Sequence, residues 1–148
     1  MTIILDMGGV LMQHNMPECI RRFCEMLGEE GMANTLGMKV NAEGLPDSLM
    51  EKFECGLVTT EEFVHTILAN AKEGTTEQQI IDAWNTMHAG IPLERIEQIK
   101  RWKKLGHHLL LLSNNNALHW EDIHAHYDMS IFDQCFASHL VHSHKPNK

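Results

Sequence analysis

The sequence predicts an open α/β fold: a parallel sheet of short buried strands, interrupted after its first strand by a long helical insertion. Three observations carry this expectation. Residues 2–6, "TIILD", and 107–113, "HHLLLLS", are apolar without alternation, the pattern of strands covered on both faces of a parallel sheet. The stretch of roughly 80 residues between them carries helix punctuation and no convincing strand. Finally, the helical pattern "IPLERIEQIKRWKKLG" leads directly into the second strand, which is half of a crossover unit.

Taken in order, "MPECIRRFCEMLG" places Ile20, Phe23, Cys24 and Leu27 on one face and closes at Gly28, and "PDSLMEKFECG" does the same with Leu49, Met50 and Phe53 before Gly56. "TTEEFVHTILANAKEG" and "TTEQQIIDAWNTMHAG" each open with a capping-box pattern, Thr59 with Glu62 and Thr75 with Gln78, and run to Gly74 and Gly90. In the next helix Pro92 sits in the first turn, Ile96, Ile99 and Trp102 align, basic residues load the last turn and Gly106 ends it. "NNNALHWEDIHAHY" reads as asparagine capping followed by a helix, and "FDQCFASHL" as a third short strand or loop.

A chain of 148 residues with 43% hydrophobic content suffices for one domain or a small core with an inserted subdomain. The formal charge of −8 argues against a nucleic acid or an anionic membrane as partner, since both need a basic surface. An anionic small molecule, held by backbone N–H groups and one or two cations, is compatible with it. Cys19, Cys24, Cys55 and Cys135 form no C-x-x-C pair and read as reduced thiols. "MTIILDMGG" lacks the basic region of a signal peptide and no segment reaches membrane-spanning length, so the expected location is cytoplasmic.

"LDMGGVL" ends its strand on a carboxylate, Asp6, followed by two glycines that let backbone approach a ligand. In open α/β sheets ligands bind at the carboxyl ends of the strands, where both Asp6 and Ser113 fall. "LDMGGVL", "LLSNNN" and "HKPN", in this order, resemble the haloacid dehalogenase-like (HAD) hydrolases. The likeness is to the helical-cap branch that includes bacterial sugar-phosphate phosphatases of the glucose-1-phosphate type, and "FECGLVTTEEF" is similar to that branch's cap.

The resemblance implies a Rossmann-like three-layer core with a parallel sheet, formed by residues 1–13 and 92–148, and an all-helical cap at 14–91. It implies a magnesium-dependent phosphatase of small phosphorylated metabolites, with Asp6 as the nucleophile that becomes an aspartyl-phosphate. Ser113 and Asn114, with the N-terminus of the following helix, would bind the phosphate, and Lys145 would neutralise charge between phosphate and nucleophile. Mg2+ would take an Asp6 oxygen and the backbone carbonyl of Gly8.

Two departures from the family pattern bear on activity. The second aspartate, the proton donor and acceptor of these phosphatases, is replaced by Gly8. The fourth motif, paired acidic residues that complete the metal site, would follow Lys145, and the sequence ends at Lys148. The sheet is thus expected to be truncated at its C-terminal side, leaving the first strand an open edge suited to self-association by strand pairing or swapping. Two other readings follow: a haloacid dehalogenase, disfavoured because Arg21 is the first arginine after the nucleophile, and a truncated or inactive HAD-fold pseudoenzyme.

The remaining features read as packing. His119, His124 and His126, and the tail set His139, His142 and His144, are expected at the surface without a native metal site, and Trp84, Trp102 and Trp120 in core and cap packing. By position alone Met12, His14 and Asn15 could touch a substrate.

Overall fold

A computed structural model describes residues 1–37 and 47–146. β1 (Thr2–Leu5), β2 (His108–Ser113) and β3 (Gln134–Ala137) form a parallel sheet in the order β1-β2-β3, with Leu5 beside Leu111 and Ser113 beside Ala137. Between β1 and β2 come α1 (Met16–Leu36), α2 (Leu49–Glu54), α3 (Thr60–Leu68), α4 (Glu77–Asn85) and α5 (Leu93–Lys104). α6 (Ala117–His126) and a short 3-10 turn (Met129–Ile131) connect β2 to β3, and α7 (Ser138–Val141) follows directly.

The α/β class with a helical insertion is therefore the observed architecture. Ile3, Leu5, Leu109 and Leu111 face Ile99 and Trp102 of α5 and Ile123 of α6, closing one side of the sheet. On the other side Ile4, Leu112 and Phe136 are exposed, at 62%, 41% and 40%. The described residues thus supply the sheet and one helical layer of the expected three, and leave β1 as an edge.

The insertion has its own apolar centre. Phe53 stacks on Phe63 at 4.1 Å, Trp84 meets Phe63 edge-on at 4.9 Å, and Phe23 packs edge-on against Trp84. Large aromatic rings bury much area for few ordered torsions, which lets four short helices hold together. α6 belongs to both clusters, since Leu118 packs with the insertion and Ile123 with the sheet.

The two chain crossings between these clusters are paired. Gln13 N–H donates to Gly90 O at 2.9 Å, Ala89 N–H to Gln13 O at 2.8 Å, and Asn15 N–H to Met87 O at 2.8 Å. A second tie lies at the far end of α2, where Gly56 (φ 65) passes so close to α7 that a Cβ there would stand 2.3 Å from the His139 carbonyl oxygen. Glycine is required there on both counts.

Several local expectations shift. Gly28 (φ 72) breaks α1 as expected, but helical structure resumes and ends at Leu36, capped by Gly37. The capping box of α4 is Thr76 with Gln79, one residue later than the Thr75 with Gln78 pattern, because only that register closes both bonds. α3 and α4 also stop at Leu68 and Asn85, well before Gly74 and Gly90, and Pro92 caps α5 rather than opening its first turn. The Thr59 with Glu62 box is present, and "FDQCFASHL" contains a true strand.

Candidate active site

The sheet delivers its polar groups to one edge. Asp6 follows β1 directly, Ser113 ends β2 and Asn114 follows it, and all three border a cleft of about 290 Å³ together with Gly8 and Lys145. Side chains from the insertion and its linkers, including His14, Glu54, His88 and His119, complete the wall.

Asp6 is held at both oxygens. Oδ1 accepts the Met7 N–H at 2.8 Å, which orients the carboxylate, and Oδ2 faces the Lys145 ammonium at 2.7 Å. Lys145 Nζ also donates to Leu112 O at 3.0 Å. Its backbone is clamped by one side chain: the Lys145 N–H donates to Asn114 Oδ1 at 2.7 Å, and Asn114 Nδ2 donates to Lys145 O at 3.1 Å. A residue from the far end of the chain is thereby fixed beside the first strand.

Asn114 spends its amide on positioning Lys145, not on an open anion cradle. The backbone N–H of Asn115 donates to Ser138 Oγ at 2.9 Å and that of Asn116 to Asn115 Oδ1 at 2.9 Å, so these donors at the start of α6 are already engaged. Ser113, 3% exposed, donates to the Asn114 carbonyl at 3.1 Å, a bond its hydroxyl can exchange for a phosphate oxygen by rotation.

The oxygen donors suit a hard cation in kind, but among the described residues no group of three or more His, Cys, Asp or Glu could hold a metal ion. Magnesium commonly binds through one or two carboxylates, substrate phosphates and retained waters. Asp6 and the Gly8 carbonyl fit that minimal pattern.

The histidines depart most from expectation. His119 is not at the surface: it is 4% exposed, stacks on Trp84 at 5.2 Å and lies 4.0 Å from His88. Its Nε2–H donates to Trp84 O at 3.0 Å while Nδ1 faces the Asn116 amide at 3.1 Å, and burial lowers its pKa to about 3. His88, also lowered by burial, has an Nδ1 without a hydrogen-bond partner among the described residues. His124, His126 and His142 are exposed as expected, while His139 and His144 are half-buried, His139 against the Asn115 carbonyl and His144 against Cys55 of the insertion, whose carbonyl His142 also meets.

Of the three loop residues expected near substrate, His14 lines the cleft, whereas Met12 is buried at 1% exposure in the core beneath the sheet and Asn15 caps α1. Met12 points inward because the Met7–Met12 turn closes on itself, with Met7 O accepting from both Leu11 and Met12 N–H. Glu54 was not foreseen. Burial, reinforced by Glu51, pushes its carboxyl up to about 7, but its only sequence mark was a place in "FECGLVTTEEF".

No protein-family model matches the sequence, and no curated protein matches it. Solved structures do. A HAD family enzyme from Bacteroides thetaiotaomicron, in complex with magnesium and inorganic phosphate, superposes with a TM-score of 0.81 over 97% of this chain and 71% of that one, at 24% identity. A predicted HAD-like family hydrolase from Porphyromonas gingivalis gives a TM-score of 0.78 over 99% of this chain and 70% of that one, at 28% identity. The chain has the fold of the haloacid dehalogenase-like hydrolases.

Proposed function

We propose that the chain is a HAD-like hydrolase acting as a magnesium-dependent phosphatase of small phosphorylated metabolites, with Asp6 as nucleophile. The observation that carries this reading is the 2.7 Å pairing of Asp6 Oδ2 with Lys145 Nζ in a cleft also bordered by Ser113. A carboxylate whose orientation is set by Met7 N–H and whose charge is balanced by a clamped ammonium is prepared to attack phosphorus. Lys145 offsets negative charge on the transferring group, and Ser113 Oγ donates to one of its oxygens.

Magnesium, held by Asp6 and the Gly8 carbonyl, would disperse charge on the phosphoryl oxygens. The B. thetaiotaomicron enzyme with magnesium and phosphate supports this by analogy of fold. A small metabolite suits the cleft volume, and the acidic chain keeps nucleic acid and anionic membrane outside the proposal. Among the described residues no helix is long and apolar enough to cross a membrane. A cytoplasmic location and self-association through the open β1 edge belong to the same proposal.

The dehalogenase alternative is weakened because Arg21 is committed elsewhere: it pairs with Glu18 at 2.7 Å and with Glu25 on the surface of α1. The deciding experiment is phosphate release from p-nitrophenyl phosphate and phosphorylated sugars with and without magnesium, for the chain and its Asp6→Asn variant. Magnesium-dependent release abolished by the substitution is the expected result. No release above the variant would leave the fold without this activity, as the pseudoenzyme reading requires.

A further inference from the structure

Position 8, where the loop after Asp6 could carry a carboxyl, is a glycine, and the structure shows what fills the space beside it. A Cβ built on Gly8 would stand 2.8 Å from both Cε1 and Nε2 of His14, so the imidazole takes the space a side chain at position 8 would enter. The proton donor for a leaving alcohol is thus not a side chain at position 8, and it is sought among the other titratable groups that line the cleft.

Glu54, the last residue of α2, lines that cleft together with Asp6, Ser113 and Lys145. Among the described residues its carboxyl has no hydrogen-bond or ion-pair partner, although Lys145, Arg21, Arg22 and Lys103 all find carboxylates. An unpaired, partly buried carboxyl is costly unless it is used or kept protonated. Its mounting is rigid. The Glu54 carbonyl accepts from Ser138 Oγ, and Gly56 lies against the His139 backbone, so two contacts tie this end of α2 to the sheet domain.

We propose that Glu54 is the proton donor and acceptor of the reaction at Asp6. The inference rests on the phosphatase reading above. As an Asp6 oxygen bonds to phosphorus and the bond from phosphorus to the leaving oxygen breaks, the Glu54 carboxyl gives its proton to that oxygen and the alcohol departs. The resulting carboxylate then takes a proton from water as the water oxygen bonds to phosphorus. The bond from phosphorus to Asp6 breaks, inorganic phosphate leaves, and both carboxyl groups return to their starting states. A carboxyl that titrates near neutrality serves both half-reactions. The charged and titratable groups around it are Glu51 and Cys55 on its own segment, His139, His142 and His144 from the C-terminal segment packed on that end of α2, Asp6 and Lys145 from the sheet side, and His14, His88 and His119 along the cleft.

The test uses the full chain with magnesium and two leaving groups. Nitrophenolate departs without a proton, whereas a sugar or alkyl alkoxide needs one. Glu54→Gln is expected to lower kcat on an alkyl phosphate by about 10²–10⁴. On p-nitrophenyl phosphate it should give a burst of one nitrophenolate per chain followed by slow turnover, because only attack by water then lacks its base. A Gly8→Asp, His14→Gly pair in the Glu54→Gln background, which opens the space at position 8 and supplies a carboxyl there, is expected to restore part of the alkyl rate. Retention of the alkyl rate in Glu54→Gln, or an equal loss on both substrates without a burst, would overturn the inference while leaving the phosphatase reading intact. A wild-type chain that releases no phosphate from either substrate would remove both.

Discussion

Asn116→Ala is the perturbation whose cost can be worked most fully from the structure. Asn116 is 1% exposed, and its Oδ1 accepts both the His119 N–H, at 3.0 Å, and the Trp84 indole N–H, at 3.1 Å. It is at once the N-cap of α6 and the polar latch holding the aromatic centre of the insertion to the helix behind the site. Losing the cap costs about 1 kcal/mol. Leaving the indole N–H unpaired in a closed core adds about 1–3 kcal/mol.

The cap and the indole together set a destabilisation of about 2–4 kcal/mol by urea unfolding, to which the loss of the Asn116 amide beside His119 Nδ1 adds. A double-mutant cycle isolates the indole part. In a Trp84→Phe background, which has no indole N–H to orphan, Asn116→Ala should still cost the cap and the 3.1 Å contact of the Asn116 amide with His119 Nδ1, but not the indole part, so the coupling between the two sites should be about 1–3 kcal/mol. A coupling below about 0.5 kcal/mol would refute the latch, leaving the 3.1 Å contact without energetic content.

Other consequences are equally direct. Gly56→Ala combines left-handed backbone with a Cβ 2.3 Å from a carbonyl oxygen and should destabilise by about 2–5 kcal/mol in thermal or urea unfolding; a change below 1 kcal/mol would show that α2 and α7 separate freely. His119 stays neutral in the fold down to about pH 3 while the unfolded chain takes up its proton near 6.5. Stability is thus fully present above that pH and declines as pH falls through the interval, and His119→Gln should flatten the decline even if it lowers stability at pH 8. Asp133 is depressed first by its hydrogen bond to Lys103 and then by the Leu109 N–H, so the stability it contributes is present above the ordinary carboxylate range and lost as pH falls below it. The difference between wild type and Asp133→Asn in urea unfolding should shrink in acid; a difference independent of pH would contradict this.

Much of the arrangement was legible in local pattern because its causes are local. Unbroken apolar runs mark β1 and β2, Thr59 with Glu62 marks the start of α3, and glycines mark the break at Gly28 and the sharp turn at Gly56. Asp6 and Ser113 could be placed together because strand ends in a parallel sheet share one edge, so order along the chain translates into position, whereas Lys145 entered only through the resemblance of "HKPN" to a family motif. Asn114 was legible only in part: its neighbourhood followed from the strand, but its bond to the Lys145 backbone links residues 31 apart and leaves no local trace. The same holds for the burial of His119, since nothing in "HWEDIHAH" reveals that Trp84 stacks against one of its histidines.

By itself the sequence determined the α/β class, the helical insertion, and which residues crowd the carboxyl edge of the sheet. These follow from hydrophobic period, capping chemistry and connectivity, all written in neighbouring residues. Tertiary structure alone decided how the site is held and what faces it. The clamp of Asn114 on Lys145, the His14 ring over Gly8, and the Glu54 carboxyl in the same cleft as Asp6, without a partner among the described residues, arise where separate elements meet. Such meetings depend on packing two apolar clusters against each other through α6, and no local pattern encodes them.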